Sequence, residues 1–386
     1  MDGKSEGLQS HRMVVIRDGR IAEIKPCEGE TSCMIEWNGG TWDIGDVTVL
    51  PGFIDAHVHL TLDAQQSPDE ALKGGTETIL LRGLGNAQSA LKAGVTTVCD
   101  CGARNSLIFA LREAVRNGSI VGPRVVASGD VITTSGGHGC LTGVEANNVD
   151  EIRSAIRKQI EAGADFIKVM VTGGGDDPIS QYASHEIAAA VTEARGLGKK
   201  VVAHCHGPAG IKDAVEAGVD RIEHCTFLTH EGVAFDPEIA DRIAQENIYV
   251  CPTNSVDYRK IQDLQDIGEQ KKCSALRDQL VATWRGLLEH GVKFVAGSDA
   301  GMQKVFPHDY ALIMELMVWE LGLSPMQAIL SGTKVAAQAL GMESEIGTLE
   351  IGKRADIVIV AGNPLEAIDS LRDIRLVMVG GGMIGL

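Results

Sequence analysis

Short apolar runs rich in valine, isoleucine and alanine alternate along this chain with longer stretches whose apolar residues recur every three or four positions. The first kind has the length and β-branched content of buried strands; the second has the spacing of amphipathic helices. Eight strand-like runs stand out: "FIDAHVH" from Phe53, "VTTVCD" from Val95, "RVVASGD" from Arg124, "FIKVMVTGG" from Phe166, "VVAHCHG" from Val201, "RIEHCTFL" from Arg221, "IYVCPT" from Ile248 and "FVAGSDAG" from Phe294. Helical segments such as "VDEIRSAIRKQIEAGA" and "HEIAAAVTEARGLGKK" separate them, each with a glycine near its end as a stop signal. "LKAGVTTV", "IEAGADFIKV", "AVEAGVDRIEH" and "LLEHGVKFVAG" each read as a helix end, a glycine turn and a new strand. Repeated βα units of this length predict an α/β protein closed as a (β/α)8 TIM barrel. An open doubly wound sheet is the alternative. It is weakened because no run ends in GxGxxG or GxxxxGK[ST], the turns that hold phosphates in such sheets.

The two ends follow another rhythm. "VVIRDGRIAEI" from Val14 predicts a hairpin turning at Asp18-Gly19, and further strand-like pieces run to residue 50. Residues 347–386 again alternate strands and turns. Neither end has enough strands to be stable alone. Residues 1–52 and 345–386 are therefore expected to combine into one small β-sandwich beside a barrel of residues 53–344.

Charge narrows the partners. Fifty-two acidic against 35 basic residues give a formal charge of −17, which argues against nucleic acid or an anionic membrane. At 44% hydrophobic and 23% charged, the composition is that of a soluble globular protein. No stretch has the length and apolarity of a membrane span, and the polar opening "MDGKSEGLQSHRMVV" lacks a signal peptide's apolar core. Nine cysteines without a CxxC pair read as reduced, mostly buried thiols of a cytoplasmic protein. A metal role for Cys99 and Cys101 is a minor alternative.

Reactive residues gather at the predicted strand ends, where barrels of this kind carry their chemistry. His57 and His59 lie two apart, so both face the same side of their strand. Lys168, His204, His224 and Asp299 mark four further strands. Taken singly, each has a bland explanation. His204 or His224 could be a satisfied core histidine, Lys168 could reach the rim, and Asp299 could cap a helix. Six residues of metal-binding or convertible type on five strand ends point instead to one shared site.

Together "PGFIDAHVH", the lysine of "DFIKVM", "AHCHG", "IEHCTFL", "AGSDAG" and the tail "GTLEIGKRADIVIV" resemble the amidohydrolase superfamily of metal-dependent hydrolases, over essentially the whole chain. The motifs are most similar to the branch of imidazolonepropionase-like proteins and Xaa-Pro dipeptidases. That resemblance implies two Zn²⁺ ions. His57, His59 and Asp299 would hold the more buried one, and His204 and His224 the other. Lys168, carboxylated by carbon dioxide, would bridge them. Four imidazoles and two anionic oxygen donors suit zinc, and burial keeps an amine neutral enough to add carbon dioxide. The implied reaction is attack on an amide carbonyl by a metal-activated hydroxide, with Asp299 serving as base and then acid. Ser298 and Ala300 would only shape the strand end.

The loop "TTSGGHGC", residues 133–140, places His138 among glycines, and in the resembling branch such a loop lies over the active site. His138 is thus expected to hydrogen-bond the substrate carbonyl or oxyanion. His206 faces the same way as His204 and is expected at the substrate, although dipeptidases of the branch often carry tyrosine there. "VTGGGDDPISQY" is shorter than the dipeptidase loop, and its Tyr182 is expected to line the pocket. Arg104, or else Arg259 or Lys260, would meet a substrate carboxylate. The substrate is expected to be a small amide, first a dipeptide or N-acyl amino acid. The alternatives are cyclic amides, ureas, carbamates, aryl amides or deamination. A metal-free scaffold is remote because all six ligand positions are filled. The resemblance also implies a homo-oligomer.

Overall fold

The computed structural model describes residues 1–4, 7–26, 33–37 and 40–384. Its centre is parallel sheet. Phe53–Val58, Val95–Asp100 and Arg124–Ala127 pair in that order. A second, seven-stranded sheet runs Gly143–Glu145, Val131–Thr133, Ile167–Met170, Val201–Cys205, Arg221–His224, Tyr249–Cys251 and Lys293–Phe294. Backbone hydrogen bonds join the two sheets at both edges. Asp165 N donates to Ala127 O over 2.8 Å, Ala56 N to Ala296 O over 3.0 Å and Asp299 N to His57 O over 2.7 Å.

Two predicted runs differ in detail. The run from Arg124 continues past its expected end but breaks at Gly129, whose φ of 75° suits glycine. "FVAGSDAG" forms a regular ladder only at Lys293–Phe294. Beyond that it is held by the bonds to the Phe53–Val58 strand, whose own register shifts between Asp55 and Val58.

Helices pack on the sheet with the predicted punctuation. Val149–Ala162 starts at Asn148, whose side chain accepts from Glu151 N, and stops at Gly163, with φ 108°. Its buried residues, Ile152, Ala155, Ile156 and Gln159, form one stripe. Three further helices, Tyr310–Trp319, Pro325–Ser331 and Lys334–Leu340, follow the last parallel strand. The first is apolar nearly all round and buried from Tyr310 to Met317, and the Tyr310 hydroxyl donates to Ile54 O over 2.6 Å beneath the His57 strand.

At the amino end, Arg12–Arg17 and Arg20–Pro26 form the expected hairpin. Asp18 and Gly19 have φ of 51° and 74°, the left-handed pair of a type I′ turn. Val47–Pro51 joins Ile357–Ala361, Ile374–Val379 and Gly382–Ile384 in an antiparallel sheet, so strands from both chain ends share it. Ile357 and Ile359 pack with Ile21, Leu376 and Met378 in one apolar cluster. The alternate residues Val358 and Val360 join the main core instead, as the two-residue period of a strand requires. Parts of the expected terminal unit, residues 5–6, 27–32, 38–39 and 385–386, lie outside the described residues, as does Cys27. Seven described cysteines are free thiols. Among the described residues no helix is long and apolar enough to cross a membrane.

Candidate metal centre

The carboxyl ends of the parallel strands bring five imidazoles together. His57 and His59 approach with their Nε2 atoms 3.3 Å apart, and Asp299 Oδ1 lies 3.4 Å from each. Across the site the His204 and His224 ring centroids are 4.5 Å apart, edge to face. His206 stacks on His224 at 4.5 Å and 12°. His57 and His224, at 5.5 Å, link the two groups. The donor atoms of His57, His59 and Asp299 lie within 4.8 Å of one another, as do those of His204, His206 and His224.

Hydrogen bonds dictate which nitrogen each neutral ring offers. His59 Nδ1 is 3.1 Å from Gly102 O and His204 Nε2 is 3.2 Å from Gly173 O. A carbonyl only accepts, so those nitrogens carry the protons. Thr253 Oγ1 donates to Pro252 O over 2.8 Å and therefore accepts from His224 Nδ1 at 2.7 Å. Thr226 Oγ1 likewise donates to His206 O and accepts from His206 Nδ1 at 2.9 Å. His57 Nδ1 faces the Glu223 carboxylate at 2.9 Å. The lone pairs left over are Nε2 of His57, His59, His206 and His224, and Nδ1 of His204.

These donors suit a divalent metal ion. Two imidazole lone pairs facing each other at 3.3 Å beside a carboxylate oxygen repel unless a cation lies among them. Lys168 Nζ and Asp299 Oδ1 are buried without a hydrogen-bond partner among the described residues, an expensive state for groups this polar. Burial pushes His59 down to about 4 and His206 to about 3, and holds His204 and His224 well below the usual imidazole range. Neutral rings are the ligating form.

The strand ends are strained where they hold these groups. His224, Thr253 and Asp299 have φ of 67°, 49° and 61°, left-handed values that cost a non-glycine residue about 1–3 kcal/mol. Trp284 Nε1 braces the first by donating to His224 O over 2.9 Å. Two glycines allow the last strand to come close. A Cβ on Gly297 would meet His57 Cβ at 2.9 Å, and one on Gly301 would meet His59 O at 2.2 Å.

Several residues below the site escaped the sequence reading. Asp55 accepts from Ser298 N at 2.9 Å, from the Ser298 hydroxyl and from His57 N at 3.2 Å, tying the first strand to the last. Burial raises its carboxyl to about 6. Asp100 accepts from Leu60 N and Gly102 N, and burial raises it to about 7. Glu223 bonds His57 on one side and Arg221 on the other. The available signal was a charged residue inside an apolar run, which is rare unless it is paired. Cys99 and Cys101 surround Arg221, with sulfurs 3.6 and 3.7 Å from Nη2. The Cys101 sulfur also lies within 4.8 Å of donor atoms of His57 and Glu223.

The His138 ring stacks on His204 at 4.5 Å. Its backbone N is held by the Gln181 side chain, and its carbonyl by Thr133 Oγ1 at 2.7 Å. Tyr182 requires correction as a pocket residue. It is buried in the core, and its hydroxyl is used by Ala146 O at 2.9 Å. Its neighbour Gln181 is the one that reaches the His138 loop. Arg104 is exposed, with Nη1 3.4 Å from Leu72 O. Arg259 is ion-paired with Asp309, and Lys260 is exposed on the same helix.

Residues 48–384 match the sequence profile of the amidohydrolase family. The chain belongs to that family. As an amidohydrolase it is a hydrolytic enzyme acting on carbon–nitrogen bonds of the amide type. It is 27% identical over 368 residues to ochratoxinase of Aspergillus niger, covering 85% of this chain and 73% of the relative. It is 28% identical over 391 residues to imidazolonepropionase of Symbiobacterium thermophilum, covering 89% and 82%. Among solved structures, a Xaa-Pro dipeptidase with methionine bound in its active site superposes with a TM-score of 0.85 at 32% identity, covering 100% of this amidohydrolase and 97% of the other chain. Molinate hydrolase, 22% identical with a TM-score of 0.84, shares the fold.

Proposed function

We propose that this amidohydrolase is a binuclear zinc enzyme that cleaves the amide bond of dipeptides or N-acyl amino acids. Its parallel strands would close as a (β/α)8 barrel, with the terminal segments as a β-sandwich at its side. The observation that carries the reading is the pair of facing Nε2 atoms of His57 and His59, 3.3 Å apart beside Asp299 Oδ1. His57, His59 and Asp299 would hold one ion, and His204 and His224 the other. Lys168 would bridge them after its buried Nζ, without a hydrogen-bond partner among the described residues, bonds to carbon dioxide and releases a proton, leaving an anionic two-oxygen group. Zinc held there supplies a water of lowered pKa and a polarised carbonyl.

The remaining work falls to the chain. The Asp299 carboxylate takes a proton from the attacking water and returns it to the leaving nitrogen. His138, stacked beside His204, donates to the carbonyl oxygen as charge develops on it. His206, with Nδ1 tied to Thr226, presents an Nε2 lone pair to a substrate N–H. Arg104 meets the free carboxylate. The free thiols suit a reducing, cytoplasmic setting.

The names of the relatives support a peptide-like amide, through a Xaa-Pro dipeptidase and ochratoxinase. Imidazolonepropionase among them makes a cyclic amide the second reading. Zinc-loaded protein, with metal content measured, should be screened against dipeptides, N-acyl amino acids, cyclic amides and phenylureas. Turnover confined to the first two groups is expected. Turnover confined to rings or ureas would replace the substrate assignment, and protein that takes up no zinc would end the metal reading.

A further inference from the structure

We infer that Glu223 is a positioning residue that selects the nitrogen His57 offers to the metal centre, and that Arg221 holds Glu223 to that task. The inference rests on the metal reading above. Glu223 is fully buried: Oε2 lies 2.9 Å from His57 Nδ1, Oε1 lies 2.7 Å from Arg221 Nε, and the Cys251 thiol also hydrogen-bonds the carboxylate. Arg221 is also buried, and its Nη2 donates to Ala56 O over 2.9 Å, at the residue just before His57. The pair therefore grips the His57 strand twice, at the ring and at the backbone.

The other rings are set more weakly. His59 and His204 lean on carbonyls, and His206 and His224 on threonine hydroxyls. Only His57, among these five, donates to a carboxylate, the stronger acceptor. A neutral imidazole has one N–H. Holding it on Nδ1 leaves the Nε2 lone pair aimed at His59 Nε2 and Asp299 Oδ1. A buried ion pair adds little net stability over an apolar pair of similar shape. Its placement beneath a ligand is better explained by orientation, as with carboxylates behind zinc-bound histidines. Glu223 also adjoins His224, so one strand sets the geometry of a ring in each group.

Glu223→Gln tests this through a simple asymmetry. A carboxylate accepts on both oxygens, whereas a carboxamide accepts on one and donates on the other. If the Gln oxygen faces Arg221, its NH₂ confronts His57 Nδ1 and drives the ring proton to Nε2, inside the centre. If the oxygen faces His57, the NH₂ meets the Arg221 N–H. Zinc affinity at the His57–His59 position, measured by chelator competition, should fall about ten- to a hundred-fold, with the second equivalent retained. Arg221→Met added to Glu223→Gln removes the clash and should recover most of the loss. In metal-free wild type, imidazole nitrogen NMR should place the His57 proton on Nδ1; this measurement decides the matter even where Glu223→Gln does not fold. Wild-type affinity in Glu223→Gln, a double variant as impaired as the single one, or a His57 proton on Nε2 would each overturn the inference. Wild-type protein that binds no zinc would instead defeat the metal reading, and the ring NMR would still report on Glu223.

Discussion

The imidazole rim and the terminal sheet are built on opposite terms. At the rim, Lys168 Nζ, Asp299 Oδ1 and the Asn254 carboxamide are buried without a hydrogen-bond partner among the described residues, and His224, Thr253 and Asp299 sit in left-handed backbone. In the terminal sheet the buried carboxylate Asp356 is fully used, by Arg124 at 2.7 Å and by Gly380 N at 2.7 Å. Its apolar residues alternate cleanly between two cores. Charged pairs such as Lys4–Glu350 stay near the surface. The difference separates two jobs. Apolar packing and satisfied polar groups supply stability, while unsatisfied, strained groups persist where a ligand is to complete them.

Four measurements would break or sharpen that contrast. Asp299→Asn should cost about 10²–10⁴-fold in turnover, with thermal stability close to wild type; near-normal turnover would remove the proton role. Ile359→Ala should do the reverse. It deletes buried atoms from the terminal cluster and should cost about 2–5 kcal/mol in denaturant unfolding, while the folded fraction keeps its turnover. A parallel loss of turnover would show that the two regions are coupled.

Metal removal comes next. Chelated protein should unfold at lower temperature than zinc-loaded protein, because a ligand at 100 times its Kd stabilises by about 2.7 kcal/mol per site. An unchanged melting point would argue that the rim needs no ligand to complete it. The smallest effect concerns Glu350, whose carboxyl the Lys4 hydrogen bond, then Thr348 and Lys353, hold down at about 2. A depressed folded pKa means its contribution is present above the unfolded value of about 4.3 and fades as pH falls toward the folded one. Glu350→Gln should therefore melt slightly below wild type at pH 7, with the gap closing on acidification. A gap that widens in acid would reverse the sign.

Local pattern was enough for much of this molecule. Two-residue and 3.6-residue periods report which face of a segment avoids water, and Asp18-Gly19 or Gly163 supply conformations few other residues adopt. Reactive side chains inside such runs, His57, His59, Lys168, His204, His224 and Asp299, could be picked out by type alone. Pattern did not separate Tyr182, whose hydroxyl is used in the core, from Gln181, which reaches the His138 loop. Nor did it show the break at Gly129, or Glu223 standing between His57 and Arg221. Periodicity records burial, a property of one segment against solvent. The tautomer of His57 depends on a carboxylate 166 residues along the chain, at Glu223, and only the packed chain brings the two within 3 Å.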